Sequence, residues 1–140
     1  MSDASSREVE LLRVALFRTE LRRFLARADT ATREAGLTPQ RYDLLLMVES
    51  AGGSSGLHVT ELCDLLQMKQ TTVTELVNRA VAAKLVDRRS SPDDGRVRVL
   101  KLTAKGRRRL FEVFDALRDD RAALTARFEE LGVRFHAASE

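Results

Sequence analysis

Between Lys69 and Arg79 the chain carries Gln70, Thr71, Thr74, Glu75 and Asn78, a spacing that brings five short polar side chains onto one side of a helix. Hydroxyls and amides placed this way donate and accept hydrogen bonds without bulk, and Lys69 and Arg79 add positive charge at the edges. Such a face suits a ligand that offers both hydrogen-bonding edges and negative charge, as base edges and phosphates do. Gln70 and Thr71 would reach deepest, Gln70 with a bidentate fit to adenine and Thr71 with its methyl against that of thymine. Asn78 and Arg79, two turns on, suit phosphates. Thr74 lies between them, and Glu75 either accepts from cytosine N4 or pairs with Arg79 at i+4. The interleaved Val73, Leu76, Val77, Ala80 and Val81 would bury the opposite side. A plain helical hairpin with a solvated polar face is the competing reading of these residues.

What positions this face is a shorter apolar run ahead of it, Val59, Leu62, Cys63, Leu65 and Leu66, followed by a polar break. The two runs predict a helix-turn-helix in which residues 69 to 82 form the helix offered to the major groove. Behind it, 85 to 90 and 97 to 102 are β-branched or alternating runs joined by SPDDGR, Ser91 to Arg96, whose Pro, Asp and Gly are turn formers. This is a hairpin wing with a basic tip, sized to lie along phosphates and enter a neighbouring minor groove; Arg89, Arg96 and Arg98 are among its cations.

The charge distribution agrees. Residues 58 to 109 hold 12 Lys and Arg against 6 Asp and Glu, a balance of +6, whereas the rest of the chain holds 12 against 15 and the whole stands at +3. A basic module attached to a more neutral part is the electrostatic footprint of a nucleic-acid binder.

The remaining elements frame the module. Residues 1 to 6 read as a frayed tail. From Arg7 to about Arg33, Val9, Leu12, Leu16, Phe17, Leu21, Phe24, Leu25 and Ala28 mark a long amphipathic helix that Gly36 stops. Thr38 and Pro39 cap a second helix ending near Ser50, and Gly52 to Val59 is a loop with a short extended piece at its end. Beyond Thr103, Leu110, Phe114, Leu117, Arg121, Leu124, Phe128, Leu131 and Phe135 step by fours and threes. One helix of about 30 residues would run roughly 45 Å, longer than this chain's own core needs, and its outer half would then cover a second copy. Two helices folded back at Asp119 and Asp120 are the alternative. Leu12, Leu16, Phe114, Leu117, Leu124 and Phe128 are the expected interface residues.

The fold class expected is mainly α with a small β-wing: 1-36 a dimerisation helix, 37-102 the winged helix-turn-helix, and 103-140 a second dimerisation region. At 140 residues, 44% hydrophobic and 5% aromatic without Trp, the chain can build a helical core unaided. The single cysteine, Cys63, forms no internal disulfide and is read as a small packing residue in a reducing compartment. With a polar start and no apolar run of about 18 residues, the expected location is cytoplasmic, with no membrane partner. His58 and His136 lack neighbours at metal-ligand spacing, and no phosphate loop or nucleophile elbow is present, so neither metal, cofactor nor enzyme activity is expected.

The segments LTPQRYDLLLMV (37 to 48), VTELCDLLQMKQTTVTELVNRAVAAKLVDRR (59 to 89) and SPDDGRVRVLKLTAKG (91 to 106), preceded by a long helix, resemble the MarR family of winged-helix transcription regulators. The resemblance covers about residues 9 to 118, and its most specific stretch is the Asp-x-Arg wing tip followed by LTxKG. It implies a homodimer bound to a pseudo-palindromic stretch of double-stranded DNA, usually a repressor, often released by a small aromatic ligand or by oxidation. It implies further that Arg96 is the minor-groove arginine and that Asp94 steadies the tip through Arg96 or Arg98. Three departures stand out: Gln67 and Lys84 occupy positions where the family favours glycine, and the usual break before a last helix is absent. The function expected is therefore sequence-specific DNA binding in transcription regulation. A winged-helix module for protein interaction or DNA architecture is the second reading.

Overall fold

The computed structural model describes residues 3–132. Its elements are α1 (Asp3–Glu34), α2 (Pro39–Gly52), α3 (Val59–Leu66), α4 (Gln70–Ala82), β1 (Val86–Ser90), β2 (Arg98–Leu102), α5 (Ala104–Ala116) and α6 (Arg118–Glu130). Among the described residues the fold is mainly helical, with one two-stranded antiparallel sheet in the register Val86 to Leu102 through Ser90 to Arg98. Leu57 adds a single bridge to Leu100, exchanging hydrogen bonds of 3.0 and 2.8 Å. The extended piece expected at 57 to 59 is thus one residue long, because Val59 already opens α3.

Local chemistry sets the boundaries. Thr38 accepts from the Arg41 amide at 3.2 Å and Pro39 fills the first position of α2. α1 starts at Asp3, so residues 3 to 6, expected in a frayed tail, are helical. One apolar cluster runs from Ala28 and Leu37 through Leu44, Leu45, Leu62, Val73 and Val77 to Leu100, Val113 and Leu117. At about 1.5 to 3 kcal/mol for each fully buried aliphatic side chain, this cluster is the main source of stability.

Both departures from glycine are accommodated in the left-handed region, Gln67 at φ 56° and Lys84 at φ 62°. Each is the residue after a helix's last turn, where paired hydrogen bonds close the end: Lys84 to the Val81 carbonyl at 2.9 Å and Leu85 to that of Ala80 at 2.9 Å. A Cβ is disfavoured there, so Lys84→Gly is expected to raise stability by about 1 kcal/mol. Urea unfolding checks it; a loss of stability would mean that the lysine side chain outweighs its backbone strain.

The LTxKG stretch clamps α5 onto the end of α4. Thr103 accepts from the Gly106 amide at 3.0 Å while its hydroxyl donates to the Lys84 carbonyl at 2.6 Å. Its own amide donates to the Leu85 carbonyl at 3.1 Å, and Lys105 Nζ reaches that of Ala83 at 3.1 Å.

The C-terminal region corrects the single long helix. α5 ends at Ala116, Leu117 departs from helical geometry at φ −96° and ψ 6°, and α6 begins at Arg118. The turn lies two residues before the Asp119–Asp120 pair, which sits instead in the first turn of α6, where carboxylates complement the helix dipole. α6 packs on α1 of its own chain: Phe128 stacks on Phe17 with centroids 4.6 Å apart, and Arg27 holds Asp120 at 2.7 Å. Leu117 and Phe128, expected at an interface, are only 3% and 4% exposed and leave almost nothing for a second copy to cover. Leu16 and Leu124 are half-buried, Leu12 and Phe114 exposed, and Phe135 lies outside the described residues.

Candidate nucleic-acid interface

The α4 helix divides as its sequence demands. Val73, Leu76, Val77 and Ala80 are buried, while Gln70, Thr71, Thr74, Glu75, Asn78 and Arg79 are exposed. Lys69 is the N-cap and makes no side-chain capping bond, so the first amides of α4 are left open at the same end as Gln70 and Thr71. Glu75 and Arg79 form the expected i,i+4 pair at 3.7 Å. Being largely exposed, that pair contributes little to stability, but it offsets the acidic charge on a face otherwise suited to phosphates.

The wing tip is held by its backbone. The Val97 amide donates to the Asp94 carbonyl at 3.0 Å, closing a turn, and the Ser91 amide donates to the Val97 carbonyl at 2.7 Å. Asp94 does steady this turn, but its carboxylate accepts from the Arg96 backbone amide at 3.0 Å rather than from either guanidinium. The Arg96 and Arg98 guanidinium groups are therefore exposed and carry no hydrogen bond or ion pair among the described residues. Arg89 is exposed and pairs with Asp87 at 3.5 Å. Arg88, passed over in the sequence, donates from Nη2 to Asn78 Oδ1 and so joins β1 to α4. Strand alternation was the available signal, because Arg88 is two residues from Val86 and shares its core-side face.

A second feature lies between α1, α2 and the α5–α6 junction: a largely apolar cavity of about 350 Å³ lined in part by Phe24, Tyr42, Leu46 and Phe114. Asp29, Asp43 and Arg121 are its charged members. Burial raises the Asp43 pKa, with the Asp29 carboxylate adding to the effect, and burial likewise raises that of Tyr42 against the opposing charge of Arg121. Arg121 donates to the Phe114 carbonyl at 2.6 Å and lies over that ring, 4.0 Å from its centroid. No sequence motif marks this cavity. Cys63 is half-buried, and among the described residues no cluster of His, Cys, Asp or Glu could hold a metal, nor is any helix long and apolar enough to cross a membrane.

A helix-turn-helix continued by a two-stranded wing and framed by a long N-terminal helix and two shorter C-terminal ones defines a winged-helix protein. A family model described as MarR family matches residues 35–97. Among solved structures, a mutant of MepR from S. aureus bound to an oligodeoxyribonucleotide has a TM-score of 0.66 at 20% identity, over 81% of each chain. A MarR family transcription regulator reaches 0.68 at 24% identity, over 91% of this chain and 82% of its own. A transcriptional regulator from Thermotoga maritima gives 0.58 at 26% identity over 80% of each. No curated protein matches the chain. Segment and fold agree: residues 35–97 match the MarR family model, and the described chain has a winged-helix fold similar to that of solved MarR-family regulators.

Proposed function

We propose that this chain is a homodimeric, sequence-specific DNA-binding regulator, acting as a repressor on a pseudo-palindromic operator. The observation that carries this reading is the exposed face of α4, which offers amides, hydroxyls and open helix-start amides beside a wing tip with unpaired arginines. Gln70 and Thr71 read base edges, while Lys69, Arg79 and Arg89 face phosphates and Arg96 enters the minor groove. MepR bound to an oligodeoxyribonucleotide shares this fold, which supports the assignment. Selection of bound duplexes from a random pool tests it. A palindromic consensus is expected, and recovery of unrelated duplexes with equal affinity would leave a non-specific architectural role instead.

Dimerisation is supported by α1. Residues 4 to 15 are exposed on every side although they include Val9, Leu11, Leu12 and Val14. A helical stretch of this length is marginal by itself in water, and a second copy offers a complementary apolar surface. The apolar cavity beside α1 supports release by a small aromatic ligand, since it opens next to α2, which packs on both α3 and α4.

For the wing, Arg96→Ala is expected to weaken operator binding and to lower the slope of log affinity against log salt by about one per protomer. Titrations at several salt concentrations measure both. Unchanged affinity in a folded variant would remove the wing tip from the interface.

A further inference from the structure

We infer that Arg88 is a positioning residue for base or phosphate recognition: it holds the Asn78 side chain in one orientation, with the amide oxygen turned toward β1 and the two amide donors left for a ligand. The inference rests on the DNA-binding reading. Its physical basis is the donor inventory. A guanidinium has donors only, so the Asn78 atom facing Arg88 Nη2 is Oδ1, and the amide cannot turn over while the bond lasts. The Nδ2 group is left on the other side of the same exposed side chain. A free asparagine can turn to satisfy adenine with one donor and one acceptor together; an asparagine whose oxygen is held toward Arg88 is disfavoured from that pairing. Asn78 is thereby biased toward acceptors, which means phosphate oxygens, the N7 of adenine or guanine, guanine O6 or thymine O4. Because Arg88 lies on β1 and Asn78 on α4, the same bond fixes the wing's root to the recognition helix.

Coupling between the two positions is the test. Arg88→Ala and Asn78→Ala should each weaken binding to the selected duplex by about tenfold per half-site, and the double variant should lose no more than either alone. Arg88→Lys, which keeps the charge and a donor, should recover much of the loss, and Asn78→Asp should lose more than Asn78→Ala through repulsion from phosphate. Losses that multiply in the double variant, with a salt slope reduced by about one per protomer for Arg88→Ala, would make Arg88 an independent phosphate contact and overturn the proposal. The free protein supplies a separate readout: the Asn78 side-chain amide resonances should shift and exchange faster in Arg88→Ala. If they do not change, the positioning role fails even where DNA binding stands. If they change but the wild type prefers no duplex, the DNA-binding reading fails and the recognition role with it.

Discussion

Gly106→Ala is expected to destabilise the fold by about 3 kcal/mol, the upper part of the range for forced overpacking. A Cβ built at Gly106 would overlap the Leu85 carbonyl oxygen and come within 3.3 Å of the Leu85 Cα. Both are main-chain atoms, and neither can step aside as the end of a flexible side chain would. Leu85 is fixed from several directions: its amide closes the end of α4, its carbonyl accepts from Thr103, and its side chain is 3% exposed. Relief would require lifting the start of α5 off α4, which breaks the Thr103 and Lys105 bonds together and opens the core at Leu110. Gly95→Ala is the control, since a Cβ at Gly95 meets nothing within 4 Å, and it should change stability by less than about 0.5 kcal/mol. Urea unfolding of the two variants decides the matter. A Gly106→Ala protein within about 1 kcal/mol of wild type would show that α5 is not locked to α4 by this contact.

The same glycine explains why so much of the winged helix was legible. LTxKG encodes a cap, a hydroxyl bridge and a close approach within five residues, and α4 buries the stripe that its apolar spacing marks, while α3 buries Leu62 with Val59, Cys63 and Leu66 partly buried and leaves Leu65 exposed. The face of α4 then follows by exclusion, because a helix with Val73, Leu76, Val77 and Ala80 inside must turn Gln70, Thr71, Thr74 and Asn78 out. The C-terminal region was less legible for a physical reason. A seam stepping by threes and fours serves equally for one long helix against another chain and for two shorter helices against the chain's own core. The turn at Leu117 involves neither Pro nor Gly; tertiary anchoring accompanies it, with Leu117 in the core on one side and Phe128 on Phe17 on the other. The roles of Asp94 and Arg88 needed coordinates too. Sequence puts Asp94 near two arginines, but a backbone amide two residues away competes for the same carboxylate and takes it.

The division of the apolar seam makes the oligomer testable in a way the seam alone did not allow. Leu117→Glu is expected to unfold the protein, because it places a carboxylate where a leucine only 3% exposed now packs in the core, a change of several kcal/mol against a stability of about 5 to 15. Leu11→Glu combined with Leu12→Glu should act differently. The two leucines are 72% and 59% exposed, so the chain itself loses little when they become charged. Across a two-fold axis, however, the added carboxylates would meet apolar surface or their symmetry mates, and the dimer should dissociate into folded monomers. A monomer brings one α4 helix to DNA instead of two. Losing the second, tethered half-site should weaken operator binding by about three orders of magnitude while leaving weak, salt-sensitive binding in place. Sedimentation at micromolar protein, circular dichroism and operator titration together separate the outcomes. A wild-type protein that sediments as a stable folded monomer, or a Leu11, Leu12 double variant that remains dimeric with full affinity, would rule out pairing through the exposed start of α1.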